Sequence, residues 1–291
     1  VRALVHDGHV VSVALLAREG GLGADLRARM YEGERVRGNM LPDVLTTQLR
    51  DEAAGVPVGW RVLRIATHPA VRSRGLGSAL LSAVEDEATG TYDWLGVGYG
   101  ATPPLVAFWA ANGYRPVHVS TTRNDRSGEH SVLMLRPLSK AGDDLLSRHV
   151  EWFRERLPSS LAGALSDLDP DVVRATLSAL PAGSVPDLSG PAWRLLAGTP
   201  HGAGLFDTAP EPFARLSLYS LTDDDGPELE PRTERLLALR CLQRRPWESV
   251  ADDLGYPSER TCMQALGTAI ETLVERYGTQ TAREELERFE R

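Results

Sequence analysis

The sequence predicts an α/β domain followed by a mainly α-helical domain, and three observations support this fold class. Residues 1–139 alternate between short strand patterns and helical stripes of apolar residues. Almost no strand pattern occurs after Pro137-Leu138-Ser139. The charge changes at the same place, because residues 1–139 carry 15 basic and 14 acidic side chains and the remainder carries 17 and 26. We therefore expect an α+β domain with a mixed sheet at 1–139 and a helical domain at 140–291.

The elements of the first domain follow from periodicity and turn residues. Strand patterns on both sides of Asp7-Gly8 predict a hairpin, so we expect the chain to begin in the middle of a sheet. Further along, an apolar helical face begins at Leu76, and Gly113 is placed to cap the last helix of the domain. The predicted strands are 2–6, 10–17, 60–67, 92–98, 114–119 and 131–136, and the predicted helices are 22–31, 41–51, 76–84 and 102–112.

The second domain shows helical periodicity. Four apolar residues are spaced as one helix face: Leu146, Val150, Phe153 and Leu157. Residues 247–277 predict two helices joined by a tight turn, which is either a helix-turn-helix reader of nucleic acid or a packed pair. Packing is favoured because the second helix is not basic. Arginines cluster just before this segment, and we expect Arg244 and Arg245 to contact RNA phosphates.

The composition excludes several classes of protein. Hydrophobic residues make up 42% of the 291, enough for a substantial core, and the net charge of −8 argues against a uniformly basic surface. Two cysteines, Cys241 and Cys262, lack paired-ligand spacing, so we expect a reducing environment, no disulfide framework and no metal. No apolar run approaches the roughly 18 residues of a membrane helix, and the first residues show no signal-peptide pattern. These features predict a cytoplasmic protein without a membrane partner.

The most informative segment is Arg72-Ser73-Arg74-Gly75-Leu76-Gly77-Ser78, which lies between a predicted strand and a predicted helix. Glycines at 75 and 77 allow a tight turn with inward N–H groups, and the helix adds the positive end of its dipole. With the charges of Arg72 and Arg74, the segment could hold a pyrophosphate. The alternative interpretation is an ordinary turn before a helix, which uses glycines in the same way. A dinucleotide fingerprint is excluded because its third glycine is absent.

A second pattern follows at the appropriate distance, a helix that ends in Phe108-Trp109-Ala110-Ala111-Asn112-Gly113-Tyr114 and leads into another strand. The two patterns together resemble the GNAT acetyltransferases, whose acetyl-coenzyme A loop Arg/Gln-x-x-Gly-x-Gly/Ala is matched by Arg72 to Gly77. Four further blocks resemble the tRNA(Met) cytidine acetyltransferase family in order and spacing: Arg37-Gly38-Asn39, Arg64-Ile65-Ala66-Thr67-His68-Pro69, Gly98-Tyr99-Gly100-Ala101-Thr102-Pro103 and Ser127-Gly128-Glu129-His130-Ser131. The resemblance covers about residues 1–140, and the helical remainder is similar to the RNA-binding region of that family.

The resemblance implies a GNAT-type mixed sheet and an enzyme that transfers acetyl from acetyl-CoA to the exocyclic amine of the wobble cytidine of elongator tRNA(Met), forming N4-acetylcytidine. The partner would be tRNA, bound by the helical domain at 140–291. The family couples this activity to an upstream ATP-driven module, and no Gly-x-x-x-x-Gly-Lys-Ser/Thr loop occurs here. The chain would then be a C-terminal portion of a longer enzyme, using ATP only through that module.

The resemblance also assigns coenzyme-binding residues. In this fold two parallel strands splay apart, and the pantetheine arm pairs with the free backbone of the first strand, here Ile65, Ala66 and Thr67. The pyrophosphate would lie on the loop and helix start: Arg72, Ser73, Arg74, Gly75, Leu76, Gly77 and Ser78. Family members often carry a glutamate where Pro104 stands and a basic residue where Ala111 stands, so the resemblance does not extend to those two contacts.

Catalysis on a cytosine amine needs a proton acceptor. The amine is a poor nucleophile because its lone pair is delocalised into the ring, so the enzyme must position it and remove its proton as the bond forms. His68 is the candidate base, with the alternative that His68-Pro69 shapes the loop exit. His130 with Glu129 is the second candidate, and its expected role is substrate contact. Backbone N–H groups near Ala66 and Thr67 could donate to the thioester oxygen.

Two other interpretations stay open. The chain could be a GNAT acetyltransferase that acts on a protein or small-molecule amine, with the helical domain binding a partner. It could also be an inactive fragment that keeps the fold without turnover. Titration with acetyl-CoA separates active from inactive chains, and acetylation of tRNA against peptide amines separates the two enzymes.

Overall fold

The computed structural model describes residues 1–125, 128–202 and 205–289, and their contacts form two compact units. The first unit is Val1–Phe153 and the second begins at Arg154. Mixed strands and helices make up the first unit and helices the second, so the predicted fold class is confirmed. The boundary expected near residue 139 coincides with the start of helix α5 (Lys140–Leu161), whereas the division by contacts falls within that helix.

The first unit is built on a six-stranded sheet with the order β1-β2-β3-β4-β6-β5. Its strands are β1 Arg2–His6, β2 His9–Gly20, β3 Val58–Thr67, β4 Trp94–Gly100, β5 Arg115–Arg123 and β6 His130–Pro137. All neighbours are antiparallel except β3 and β4, which run parallel. β4 extends to Gly100 beyond the predicted strand end at residue 98, since its alternating glycines carry no strand signal.

The predicted hairpin between β1 and β2 is present. Asp7 and Gly8 have φ angles of 48° and 79°, so both central residues are left-handed, as a type I′ turn requires. This turn matches the twist of the strands that it joins. Its position leaves β1 at the edge of the sheet.

The helices of the first unit are α1 Ala24–Tyr31, α2 Met40–Asp43, α3 Leu76–Ala88 and α4 Pro103–Ala111, followed by α5. The predicted helix 41–51 is shorter than expected. α2 widens into a π turn at Val44–Gln48, and the left-handed φ of 59° at Arg50 ends the helical path.

Helices α2 and α3 cover opposite faces of the sheet. On one face, Gly96 and Gly98 leave room for α2: a Cβ at Gly98 would lie 2.6 Å from Met40 Cε, and one at Gly96 would overlap Leu41. On the other face, α3 lies near Thr67, whose Oγ1 is 3.8 Å from the Cβ position of Gly77. A ligand that lies between β3 and β4 would therefore extend from the α3 face of the sheet to the α2 face.

The beginning of α5 is fixed to the first unit through Asp51. The Asp51 Oδ2 atom accepts a hydrogen bond from Arg148 Nε at 2.7 Å and lies 2.9 Å from His149 Nε2. Burial acts to raise the pKa of this carboxyl, but the bonds and charges from His149 and Arg148 outweigh burial and hold the pKa at about 2. This contact explains why residues beyond 139 belong to the first unit.

The second unit continues from α5 through helices α6 Pro170–Ser178, α7 Gly190–Gly198, α8 Leu205–Thr208, α9 Pro210–Ser220, α10 Pro231–Leu236, α11 Trp247–Leu254, α12 Glu259–Tyr277 and α13 Gln280–Phe289. Of the predicted α5 face, Val150, Phe153 and Leu157 are buried, while Leu145 rather than Leu146 takes the remaining buried position. Both cysteines are free and buried.

The predicted pair of helices at 247–277 corresponds to α11 and α12. Gly255 joins them with a φ of 68°, a left-handed cap. α12 buries Leu266, Ile270 and Leu273 along one side. This burial supports the packed-pair interpretation.

No described helix is long and apolar enough to cross a membrane. Within the described ranges, no three His, Cys, Asp or Glu side chains are grouped so that they could hold a metal ion.

Candidate active site

An open gap between β3 and β4 is the central feature of the first unit. The two strands pair in parallel from Gly59 with Trp94 to Val62 with Val97. Beyond these residues, β3 continues along β2 to Thr67 and β4 continues along β6 to Gly100. Within the described chain no ladder pairing joins the two continuing ends, so their facing edges are free.

A β-bulge marks the point where the strands part. Leu16 pairs with Val62 and Leu15 pairs with Arg64, so Leu63 is an extra residue on β3. A bulge bends its strand and increases its twist. It therefore directs the end of β3 away from β4.

The direction of the backbone groups follows from one hydrogen bond. His68 N–H donates to Val11 O on β2 at 2.9 Å. Successive residues of a strand turn their N–H and C=O groups to opposite edges, so Ala66 also faces β2 and Ile65 and Thr67 face the gap. Of the three residues predicted to pair with pantetheine, Ile65 turns both backbone groups and Thr67 its free N–H to the gap, whereas the Thr67 carbonyl accepts from Arg72 and Ala66 faces β2.

An anion site lies at the end of β3. The α3 helix follows Gly75, whose φ is 74°, and its first internal bond runs from Ala79 N–H to Gly75 O at 2.9 Å. The N–H groups of Leu76, Gly77 and Ser78 precede that bond and have no partner within the helix. No acidic residue stands in the first turn of α3, so nothing there opposes a bound phosphate.

Two arginines flank the same helix start. Arg72 and Arg74 are exposed, and Arg72 Nε donates to Thr67 O at 3.3 Å. This bond folds the loop back over the last residue of β3. Ser73 also adopts a left-handed φ of 58°, which turns successive N–H groups to one side. The loop residues predicted to bind the pyrophosphate thus lie together.

Gly77 forms the inner wall between the helix start and the gap. A Cβ at this position would lie 3.4 Å from the Phe108 ring and 3.8 Å from Thr67 Oγ1. The half-buried Phe108 comes from α4, on which Pro104 and Ala111 are exposed. Free strand amides, an unopposed helix N-terminus and two arginines fit a thioester coenzyme with a pyrophosphate. The residues present therefore fit acetyl-CoA.

His68, the predicted general base, lies just beyond β3 and is exposed. Its Nδ1 accepts a hydrogen bond from Ala70 N–H at 3.3 Å and so caps the short 3-10 turn Pro69–Val71. A neutral ring that accepts at Nδ1 carries its proton on Nε2 and has no second lone pair to take a proton. This geometry supports the loop-shaping alternative, and the catalytic role of His68 stays a prediction.

Glu129 lies at the opposite side of the gap. Its half-buried side chain rests on the last residue of β4, since a Cβ at Gly100 would overlap Glu129 Oε2. Gly96, Gly98 and Gly100 share one face, so this carboxylate lies on the α2 face of the sheet. The alternating glycines are the sequence signal for this close approach, because glycine inside a strand often marks one.

The other members of the Glu129 block are placed differently. His130 is buried, and its Nδ1 lies 2.8 Å from Ser120 O. Ser127 lies outside the described residues. On the α3 face of β4, burial raises the pKa of Tyr99, and its hydroxyl donates to Met134 Sδ at 3.0 Å. Tyr99 is therefore a neutral donor close to the gap, a residue that the sequence did not single out for a role.

The predicted RNA contacts Arg244 and Arg245 lie in the second unit. Arg244 has a left-handed φ of 54°, and its guanidinium is 3.3 Å from Glu211. Arg245 Nε donates to Ser166 O at 2.9 Å, and its Nη1 is 3.1 Å from Asp253 Oδ2. Both arginines already pair with carboxylates, which reduces the charge that they offer to a phosphate.

Comparison with known proteins agrees with this geometry. Residues 7–92 and 78–139 match the model of the family described as GNAT acetyltransferase 2. Proteins described as tRNA(Met) cytidine acetyltransferase are 59% identical in Haloferax volcanii and 57% identical in Haloarcula marismortui, each over 99% of this chain. One from Methanopyrus kandleri is 35% identical over 93% of the chain. The chain spans 38%, 37% and 32% of the length of these relatives, respectively.

Proposed function

The chain belongs to the tRNA(Met) cytidine acetyltransferase family, and from this premise we propose that it transfers an acetyl group from acetyl-CoA to the exocyclic amine of the wobble cytidine of elongator tRNA(Met). The observation that supports the proposal best is the free edge of β3 beyond Val62, which ends beside the helix N-terminus of α3. A tRNA substrate also implies a cytoplasmic location. ATP would be used only by a module in the part of the relatives that this chain does not span.

Binding of the coenzyme is the first task of the site. The N–H groups of Leu76, Gly77 and Ser78, with Arg72 and Arg74, would hold the pyrophosphate. The backbone of Ile65 and Thr67 would hold the pantetheine arm as a third strand would. When bound, acetyl-CoA supplies the acetyl group as an activated thioester. The free amide of Thr67 is directed at the gap and can donate to the carbonyl oxygen as charge develops on it.

Removal of the amine proton is the second task. We assign it to Glu129, because its carboxylate lies at the end of the gap on the face opposite α3. The cytidine would enter from that face and the pyrophosphate would lie near the other. A carboxylate that accepts the N4 proton as the C–N bond forms prevents a cationic amide from building up. The C–S bond of the thioester breaks in the same reaction, and the proton taken up by the carboxylate balances the thiolate that is released. Gly100 lets this carboxylate lie directly on the strand.

Recognition of tRNA is assigned to the second unit, as the sequence predicts for 140–291. Its described arginines include several that make no ion pair, so local positive surface is available despite the acidic composition. Arg244, which is 42% exposed, remains the better placed of the two predicted contacts.

The experiment is acetyl transfer from radiolabelled acetyl-CoA to an elongator tRNA(Met) transcript, followed by nucleoside analysis. We expect N4-acetylcytidine at the wobble position and no label in a transcript with uridine there. An extended version of the protein, with the upstream module and ATP, is tested in parallel. Label found only in peptide or polyamine acceptors, with either version, would overturn the proposed substrate.

A further inference from the structure

A groove in the second unit combines positive charge with an aromatic side chain. It has a volume of about 310 Å³ and lies between α5, the connection that precedes α7, and α9. Its lining includes Arg154, Arg215, Leu218 and Tyr219 from the helices and Val185 and Asp187 from the connection. We refer to it as the Arg154–Arg215 groove. None of its residues belongs to the candidate active site.

Within the described part of the chain, the two arginines of the groove are not neutralised by a carboxylate, unlike six other arginines of this unit. Arg174, Arg235, Arg240, Arg244, Arg245 and Arg288 each pair with a carboxylate. In the described ranges neither Arg154 nor Arg215 makes an ion pair, and Arg215 is exposed. The groove therefore keeps a net positive charge even with Asp187 on its rim, in a half of the chain that is acidic as a whole.

Arg154 is held so that its guanidinium faces the groove. One of its terminal nitrogens donates to Pro181 O, which fixes the end of the side chain. Its Nε is buried and has no hydrogen-bond partner among the described residues. The Cβ position of Gly183 is 3.4 Å from that nitrogen, so a residue without a side chain stands against it. Arg154 lines the groove, so a phosphate bound there would meet its positive charge.

The remaining walls suit a flat apolar group. Tyr219 is half-buried, and its ring lies 4.9 Å from that of Tyr277 in an edge-to-face arrangement that limits its motion. Val185, in contrast to most large apolar residues, is 47% exposed. Aromatic and aliphatic walls beside guanidinium groups are the usual surroundings of an unstacked base with its phosphate.

The size of the groove limits what it can take. Small-molecule pockets begin at about 300 Å³, so this volume accommodates a single nucleotide unit and excludes a duplex. Asp187 would accept a hydrogen bond from the exocyclic amine of a base. An acidic peptide fits the groove less well, because Asp187 would repel its carboxylates.

We propose that the Arg154–Arg215 groove binds one unpaired nucleotide of an RNA, with its phosphate between the two guanidinium groups and its base against Tyr219. This inference rests on the proposed function, because it names the contact by which the second unit would hold its tRNA. It predicts that the RNA segment at the groove is single-stranded.

The test measures binding of fluorescent RNA to the chain by anisotropy, using a 12-nucleotide single strand and a 12-base-pair duplex. Arg215→Ala should weaken binding of the single strand. It should also reduce the slope of log affinity against log salt concentration by roughly 0.7. Tyr219→Leu should weaken it roughly 5- to 100-fold, and Tyr219→Phe should not. Arg288→Ala, which removes an exposed arginine paired with Glu285, is the matched control and should bind as the parent does.

Photocrosslinking of the bound RNA locates the contact independently. A crosslink on the segment 181–222 supports the groove, and crosslinks confined to other segments overturn it. Equal binding by Arg215→Ala, Tyr219→Leu and the parent also overturns it, as does displacement of the RNA by an acidic peptide that binds more tightly. Failure of the proposed function is seen separately, because acetyl transfer to tRNA is then absent in the parent protein and the control alike.

Discussion

Single residues decide whether the candidate site can form. Gly75 is needed for its left-handed backbone, since the space around its Cβ position is empty, whereas at Gly77 the Phe108 ring limits the size of the side chain. Both lie in a local pattern of strand, glycine loop and helix, and the sequence therefore identifies them. Glu129 is only a second candidate in the sequence, because its contact with Gly100 joins residues 29 positions apart. The capping bond of His68 depends on a 3-10 turn that no periodicity indicates.

Gly77 gives a graded test of the coenzyme loop. An alanine Cβ would be in ordinary contact with Phe108, at 3.4 Å, but the branched side chain of valine would not fit. We expect Gly77→Val to weaken acetyl-CoA binding at least tenfold and Gly77→Ala to weaken it only slightly, as measured by isothermal titration. Equal affinity of the valine variant and the parent would remove the loop from the coenzyme site.

Substitutions at Glu129 and His68 test which of the two side chains is the general base. Glu129→Gln should slow single-turnover acetyl transfer by roughly 10²- to 10⁴-fold and leave acetyl-CoA affinity unchanged, because only the proton acceptor is lost. His68→Ala should instead lower rate and coenzyme affinity together, since the cap of the Pro69–Val71 turn is lost. His68→Asn, which can keep the cap, should restore both. A selective rate loss in His68→Ala with normal affinity would return the role of base to His68.

Elements were predictable where they depend on local sequence. The hairpin at Asp7-Gly8, helix α3 and the strand–loop–helix order follow from turn residues and periodicity. The bulge at Leu63 and the π turn at Val44–Gln48 were not predictable, because each results from pairing or packing with a distant segment. The gap itself is such a feature: the sequence alone indicates it only through the resemblance to a family.

The connection between α5 and the first unit has a pH dependence. The pKa of Asp51 is about 2 in the folded chain and near 4 in an unfolded one, so its contribution to stability is complete above about pH 4 and is lost as the pH falls toward 2. The shift corresponds to about 2 kcal/mol. Asp51→Asn should lower the free energy of unfolding by about this amount at pH 7 and flatten its fall in acid.

Urea unfolding at several pH values measures this effect. Asp86→Asn is the matched control, because Asp86 is an exposed carboxylate on α3. A pH dependence of unfolding that is the same for Asp51→Asn and the parent would contradict the role given to Asp51.

At the scale of the whole molecule, the acidic composition must be reconciled with an RNA partner. Because the net charge is −8, affinity for RNA must come from local cations. The dependence of that affinity on salt concentration therefore reports the number of phosphate contacts. Arg244→Ala should flatten the dependence of tRNA affinity on salt by roughly 0.7, the value for one phosphate contact. Arg245→Ala should not change it, because Arg245 is held by Ser166 and Asp253. An unchanged slope in both variants would remove this pair from the RNA interface.

The central claim is that the free edge of β3 holds acetyl-CoA, and amide hydrogen exchange of the intact chain tests it most directly. The N–H groups of Ile65 and Thr67 face the gap, whereas Ala66 faces β2 and serves as an internal control. On saturation with acetyl-CoA, we expect exchange at Ile65, Thr67 and Gly77 to slow at least tenfold and exchange at Ala66 to stay as slow as before. Unchanged exchange at Ile65 and Thr67 in the presence of bound acetyl-CoA would contradict the claim.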